Sequence, residues 1–385
     1  MDFELNEDQV AFADMARAFA QKELEPNAAQ WDQESFFPVD VLKSAGELGL
    51  MGLYSPEDVG GMALSRLDAS IIFEQLAMGC TSTTAFMTIH NMVCWMIASF
   101  GTSDTREHWC PQLTSADKLA SYCLTEPNAG SDAASLKTTA RREGDHYVIN
   151  GSKIFISGAG STDVLVVMAR TGGEGPKGIS AFVVDAKSEG VSYGRKEDKM
   201  GWNSQPTRAI TFEGVRVPAS ALLGEEGQGF SIAMKALDGG RINIATCSIG
   251  TAQAALNHAR DYLHERKQFG REIAAFQALQ FTLADMVTEL VAARQMVRLA
   301  ASKLDAGHAD KTAYCAMAKR FATDVGFRVC DQALQLFGGN GYIKEYPMER
   351  YVRDSRVHRI LEGTNEIMRV IVARRALMQD AADLI

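Results

Sequence analysis

Histidine, cysteine and clustered glycine are residue types through which a chain often does chemistry, and here their spacing withholds the familiar uses. The seven histidines include no pair at the close spacing of helical metal ligands, and H-E-x-x-H is missing, so no metal site is expected. The seven cysteines (Cys80, Cys94, Cys110, Cys123, Cys247, Cys315 and Cys330) lie far apart with no C-x-x-C pair. An odd, scattered set in a long chain reads as buried thiols in a reducing compartment. Neither G-x-S-x-G nor the Walker A pattern occurs. Gly158-Ala159-Gly160 begins like a dinucleotide fingerprint, but Asp163 takes the place of the third glycine and no strand–turn–helix surrounds it. Gly338-Gly339-Asn340-Gly341 joins two helical stretches and fails for a similar reason. A nicotinamide-binding Rossmann unit is therefore not expected. One acid is set differently. Glu362 follows the apolar pair Ile360-Leu361 and precedes Gly363, whose lack of a side chain permits close approach. Taken alone, it reads as a solvated acid at a helix–loop junction.

The elements that must position such residues fall into three regions. Of 385 residues, 46% are hydrophobic and 23% charged, ordinary for a soluble globular protein of two or three domains. The net charge of −9 argues against nucleic acid as a partner. The amino terminus, MDFELNEDQV, is acidic and unlike a signal or transit peptide, and the apolar window 85–101 is broken by His90, Asn91 and Ser99. A cytoplasmic protein without a membrane span is expected. Residues 1–118 read as helical, with a capping box at Asn6 and Gln9, a helix stopped by Pro26, a second between Pro38 and Gly49, and a third capped by Ser65. Residues 119–224 carry short apolar segments (LASYCLT, HYVIN, SKIFIS, DVLVVMA, ISAFVVD, RAITFEGV) with turn signals at Gly144-Asp145 and Asn150-Gly151. With no helices between them, they predict an antiparallel sheet or barrel. Residues 225–385 hold long helical runs with no proline between Pro218 and Pro347, which predicts a helical bundle. The fold class is thus α+β.

Five motifs then appear in order: YCLTEPNAGSD (122–132), NGSKIFISG (150–158), ERKQFGR (265–271), QLFGGNGY (335–342) and LEGTNEI (361–367). Together they resemble the flavin-dependent acyl-CoA dehydrogenases over almost the whole chain. The resemblance implies an N-terminal helical domain, a central antiparallel β domain and a C-terminal four-helix bundle. It also implies tightly bound FAD, a homotetramer, an acyl-CoA substrate, and reoxidation by electron-transferring flavoprotein. GWNSQPTRA (201–209), DGGRINIATCS (238–248) and YVRDSRVHRILEGTNE (351–366) resemble the branch that converts isobutyryl-CoA to methacrylyl-CoA in valine breakdown. The alternatives are 2-methylbutyryl-CoA, butyryl-CoA or a carrier-protein thioester, an acyl-CoA oxidase, or a non-catalytic flavin-binding paralogue, which should lack the base. A nucleic-acid-associated paralogue should carry a basic tail, and 376–385 is ALMQDAADLI.

By the same resemblance Glu362 is the base that takes the α-proton while the β-hydrogen leaves as hydride to flavin N5. Bound acyl chain should desolvate it and raise its pKa toward neutrality. Relatives that carry the base on a neighbouring helix have it where Gly240 stands here, so no rival is present. The thioester carbonyl would be activated by the Glu362 backbone N–H and a ribityl hydroxyl. Tyr122, Leu124, Thr125 and Ser131 would line the flavin, Ser131 also lying near the pantetheine, with Phe155 packing on the ring and Ser157 bonding near N5. Arg266 would clamp the pyrophosphate, where a planar fork suits an anion. Phe269 and Gln277 would neighbour the adenine half. Gln335, Gly338 and Gly339 would reach the dinucleotide from an adjacent subunit. Thr364 and Glu366 belong to the flavin side. Asp238, Gly239, Arg241, Gly363 and Arg374 fall on the substrate side. Arg353-Asp354 reads as an interior ion pair.

Overall fold

The computed structural model describes residues 4–378, so the tail beyond Met378, including the end of the acidic 376–385 stretch, lies outside the described residues. The chain opens with helices α1 (Glu7–Phe19), α2 (Ala28–Glu34), α3 (Val39–Glu47), α4 (Arg66–Gly79), α5 (Thr81–Phe100) and α6 (Ser103–Thr114). The capping box forms: Asn6 Oδ1 accepts from Gln9 N at 2.8 Å and Gln9 Oε1 from Asn6 N at 3.3 Å. Helix α1 continues as a wider π turn over Ala20–Leu24 before Pro26. Ser65 caps α4 through Asp68 N. Helix α5 is the buried centre of this region, and the polar residues that interrupt its sequence are paired inside it. Asn91 accepts from Leu53 N at 2.8 Å and donates to Leu50 O at 3.0 Å, while His90 bonds Leu113 O and Ala120 N. Among the described residues no helix is long and apolar enough to cross a membrane.

Strands β1 (Ala120–Cys123), β2 (Thr139–Glu143), β3 (His146–Ser157), β4 (Val164–Arg170), β5 (Ile179–Asp185), β6 (Val191–Tyr193), β7 (Thr207–Pro218) and β8 (Leu222–Leu223) follow. They form one sheet in the order β6-β7-β3-β2-β4-β5-β8, with β1 on β4. Two expectations are corrected here. The sheet is mixed rather than antiparallel: β1 runs parallel to β4, and β2 meets β4 in parallel at Thr139–Arg170. A long excursion through β2 and β3 separates β1 from β4, and such a crossover permits what a tight hairpin forbids. The second correction concerns Asn150-Gly151, which is no hairpin turn. HYVIN and SKIFIS form the single strand β3, and the pair sits at a register shift against β7. Asn150 Oδ1 accepts from Gly214 N across that bulge, so its turn chemistry serves the kink instead. Gly144-Asp145 is the true turn, between β2 and β3.

The C-terminal region is built on α7 (Gly229–Glu265), α8 (Gln277–Asp305) and α9 (Lys311–Phe337), with a small β9 (Lys267–Gln268) and β10 (Arg271–Glu272) hairpin between the first two. Shorter helices α10 (Gly339–Tyr342), α11 (Met348–Arg356) and α12 (Asn365–Ala376) close the bundle. Ile242, Leu290, Val297, Val325, Val329 and Tyr351 share one core with Leu67 and Met78 of α4 packed against it. A second core joins α5, β1, β4, β5 and the start of α7. The seven cysteines are all buried thiols.

Candidate active site

Glu362 lies in the short loop between α11 and α12, where both it (φ +56°) and Gly363 (φ +89°) adopt left-handed backbone. For a side chain that conformation is costly, of order 1–2 kcal/mol, and it aims the carboxylate back at α7. A Cβ built on Gly240 would stand 2.4 Å from Glu362 Oε2, so a larger residue there would push the carboxylate out of this position. Oε2 is buried with no hydrogen-bond partner. Burial pushes the Glu362 pKa up to about 7, with Arg241 and then Lys319 pulling against it. An unpaired carboxyl oxygen poised near neutrality is a proton acceptor waiting for a ligand.

Several expected residues gather around it. Tyr122, on β1, has its hydroxyl buried and unpartnered, and burial together with the Glu362 charge holds its pKa well above the phenolic norm. Arg241 and Asp238, one turn apart on α7, are a buried pair at 2.7 Å, and Thr312 donates to the other Asp238 oxygen at 2.7 Å. A side chain on Gly239 would meet Arg66 Nη1 at 2.4 Å, and that nitrogen also lacks a partner. Thr364 caps α12 by accepting from Ile367 N, while Glu366 in the first turn is exposed.

The loop after β1 is fastened from below. Lys153, fully buried on β3, donates to Glu126 at 2.7 Å and to the Leu124 carbonyl at 3.1 Å. Glu126 in turn accepts from the backbone of Lys137 and Thr138, and Ile154 N donates to Thr125 O. This network fixes Leu124 and Thr125, leaving Ser131 exposed on the same loop. The second bulge of β3 gives Phe155 a φ of +57°, and its ring is 65% exposed. Ser157 stands two residues on and takes a bond from Ser121 Oγ on its carbonyl. An apolar ring held outward in strained backbone, together with the orphaned polar atoms of Tyr122 and Glu362, fits a planar aromatic cofactor and its substrate.

A second set of residues lies elsewhere. Arg266, the residue after α7, is 25 positions from Arg241, roughly 40 Å at 1.5 Å per residue. Phe269, 93% exposed, sits on the β9–β10 turn, and Gln277 begins α8. Tyr262 of α7 stacks on Phe337 at 4.1 Å and accepts from Asn340, which brings the exposed Gln335, Gly338 and Gly339 to this same end. Arg374 is exposed in the last turn of α12. The expected Arg353–Asp354 pair is corrected: Arg353 binds Asp32 at 2.6 Å and Glu349 at 2.5 Å, while Asp354 accepts from Trp202 N at 2.6 Å. Successive residues on a helix point about 100° apart, so neighbours in sequence face different partners.

Sequence reading missed Lys319 and Lys153. Lys319 is fully buried on α9 and donates to Gly363 O at 2.7 Å and Asn365 Oδ1 at 3.0 Å. A signal existed: Lys319 interrupts the apolar stripe of Cys315, Ala322 and Gly326 at helical spacing.

Comparison with known proteins agrees with this site. The acyl-CoA dehydrogenase N-terminal, middle and C-terminal domains match residues 6–117, 121–215 and 227–377. The chain belongs to the acyl-CoA dehydrogenase family, and it is an FAD-dependent oxidoreductase of acyl-CoA. It is 56% identical to the mitochondrial isobutyryl-CoA dehydrogenase of Bos taurus over 97% of this chain and 90% of that protein. The mitochondrial isobutyryl-CoA dehydrogenase of Dictyostelium discoideum is also 56% identical, over 98% and 91%. Butyryl-CoA dehydrogenase from Megasphaera elsdenii superposes with a TM-score of 0.95 at 39% identity, covering 98% of this chain and all of that one. The expectation of a cytoplasmic protein is corrected by the first two relatives, which are mitochondrial. Composition and charge of a folded chain speak to solubility, whereas a compartment is read by receptors from addressing segments.

Proposed function

We propose that the enzyme converts isobutyryl-CoA to methacrylyl-CoA, with Glu362 as the base that removes the α-proton. The observation that carries this reading is the buried, unpartnered Glu362 Oε2 facing Gly240 with a pKa near 7. FAD, when bound, supplies the acceptor for the hydride that leaves the β-carbon. Phe155, Tyr122 and the Leu124–Thr125 backbone would hold its ring; Ser157 would bond it near N5. The Glu362 N–H would bond the thioester oxygen as negative charge develops. A short acyl group is supported by the side chains that crowd α7 beside the carboxylate. Met92 Sδ stands 3.4 Å from a Cβ at 240, and the Arg66 guanidinium lies over Tyr54 at 3.5 Å and beside Gly239. Isobutyryl as that group is supported by the two relatives that share 56% of this sequence.

Arg266, Phe269, Gln277, Gln335, Gly338 and Gly339 would serve the dinucleotide of a neighbouring copy in a homotetramer, since they gather at the end of α7 roughly 40 Å from Arg241 and the carboxylate it faces. Electron-transferring flavoprotein would be the reoxidant. Anaerobic mixing of the yellow holoenzyme with a panel of short acyl-CoAs tests the substrate. Isobutyryl-CoA should bleach the flavin fastest, ahead of 2-methylbutyryl-CoA by about 10- to 200-fold, the range one methylene commands, and ahead of its straight-chain isomer butyryl-CoA. Faster bleaching by butyryl-CoA would overturn the substrate and leave the base untouched.

A further inference from the structure

A buried ammonium beside the catalytic loop is used by nothing described so far. We propose that Lys319 is a positioning residue of the dehydrogenation: its side-chain nitrogen grips the Gly363 carbonyl and so holds the Glu362 carboxylate in place. The inference rests on Glu362 being the base.

The loop needs such a grip. Glu362 and Gly363 are consecutive left-handed residues, an arrangement that persists only where surroundings over-determine it. On the downstream side, Thr364 caps α12 through Ile367 N. On the upstream side, Leu361 N bonds Val357 O. Between them, among the described residues, the Gly363 carbonyl takes its hydrogen bond from Lys319 Nζ, at 2.7 Å. The ammonium is itself oriented. Asn365 Oδ1 accepts from it at 3.0 Å, and the Asn365 amide donates to Thr323 Oγ1 at 3.0 Å and Asp324 Oδ1 at 3.0 Å. Lys319, Thr323 and Asp324 all belong to α9, so the long helix, anchored in the bundle core, reaches across to fix the short loop.

The electrostatics concern the same group. Lys319 is completely buried, and burial, with Arg241 adding to it and Glu362 opposing it, brings its pKa down to about 7. The charged groups facing it are Glu362 on the loop, Arg241 on α7, Asp324 on α9 and Glu366 on α12. Asp324 is shared with Arg359 at 2.9 Å, Arg320 at 3.6 Å and Arg369 at 3.5 Å, and Glu366 is exposed to solvent. Glu362 is the largest charge effect on Lys319, and Lys319 with Arg241 is what opposes desolvation of Glu362. A lysine that merely joined two helices would touch neither the loop backbone nor the titration of the acid.

The test is Lys319→Met, a neutral chain of similar length, in the holoenzyme. FAD content should hold, while saturating anaerobic flavin reduction falls about 10- to 100-fold, the loss expected when a reacting group is displaced. The substrate concentration for half-saturation should change little, and the acid limb of the reduction–pH profile should move to higher pH. Wild-type reduction with that limb unmoved would overturn the proposal. Should Lys319→Met fail to hold FAD, Asn365→Ser decides: slower reduction at full FAD content supports the proposal, and wild-type reduction overturns it. Glu362→Gln separates the two readings. If that variant is inert while Lys319→Met is normal, only the role of Lys319 falls; if Glu362→Gln still reduces its flavin, the base assignment falls first.

Discussion

A base for a carbon-bound proton works best when its pKa sits near the working pH, and Glu362 reaches about 7 chiefly because burial disfavours its charge. The sign follows directly. Only the ionised carboxylate accepts a proton, so kcat/KM should fall as pH drops below about 7, approaching tenfold per unit, and level off above it. Stopped-flow flavin reduction across pH 5 to 9 measures it; a flat profile would count against Glu362. Replacing the acid by Glu362→Gln should leave the protein yellow yet slow reduction by about 10²–10⁴-fold, the usual contribution of a positioned base. The same shift has a consequence for stability. A carboxyl whose folded pKa is raised contributes stability that is complete below its unfolded value, about 4.5, and lost as pH rises through about 7. Glu362→Gln should therefore melt like the wild type near pH 4 and at higher temperature than the wild type at pH 8. Equal melting at both would show that the carboxyl is not buried in solution.

Elements decide whether such a residue can be used, and β3 shows how far they were legible. Its existence, its alternating apolar face and the motif it carries are plain in NGSKIFISG, yet Asn150-Gly151 reads as a turn because its short-range chemistry is the same in a hairpin and in a bulge. What decides is tertiary. β7 pairs with β3 on both sides of the pair, and a Cβ at Gly151 would lie 2.7 Å from the Thr138 Cα. The interrupted stripe marks Lys319 as an inward residue, but its role was illegible for a related reason, since which face of α9 meets the α11–α12 loop is not written in α9. The capping box at Asn6, by contrast, is local chemistry and was readable outright. The bulge makes a differential prediction. Gly151→Ala combines a φ of +147° with collision against backbone that cannot yield, and should cost about 2–4 kcal/mol in denaturant unfolding and weaken FAD retention. Gly144→Ala, at φ +68° in open space, should cost only about 1 kcal/mol and leave the flavin in place. Equal costs would mean that the close approach to Thr138 does not exist.

Across the whole molecule the charge balance of −9 sets a problem, since FAD and CoA are both anionic. The cationic groups are concentrated instead: Arg241 and Lys319 at the buried carboxylate, Arg266 at the far end of α7. Because those ends are roughly 40 Å apart, the proposed assembly would have each chain supply two halves of different flavin sites. Closed symmetry would then pair the halves: one copy's Glu362 cluster would meet another copy's Arg266 end, and reciprocally. This arrangement can be tested by complementation. Glu362→Gln lacks the base in every site it forms with itself. Arg266→Gln weakens the anion clamp in every site, and should lose FAD and activity together. In a mixed pair one site is doubly damaged, but the other joins an intact Glu362 to an intact Arg266. Co-expression of the two variants should therefore restore activity that neither shows alone, up to about a quarter of wild type if copies pair at random in a two-fold arrangement. If each chain built its flavin site unaided, mixing would restore nothing, because every copy would carry its own defect.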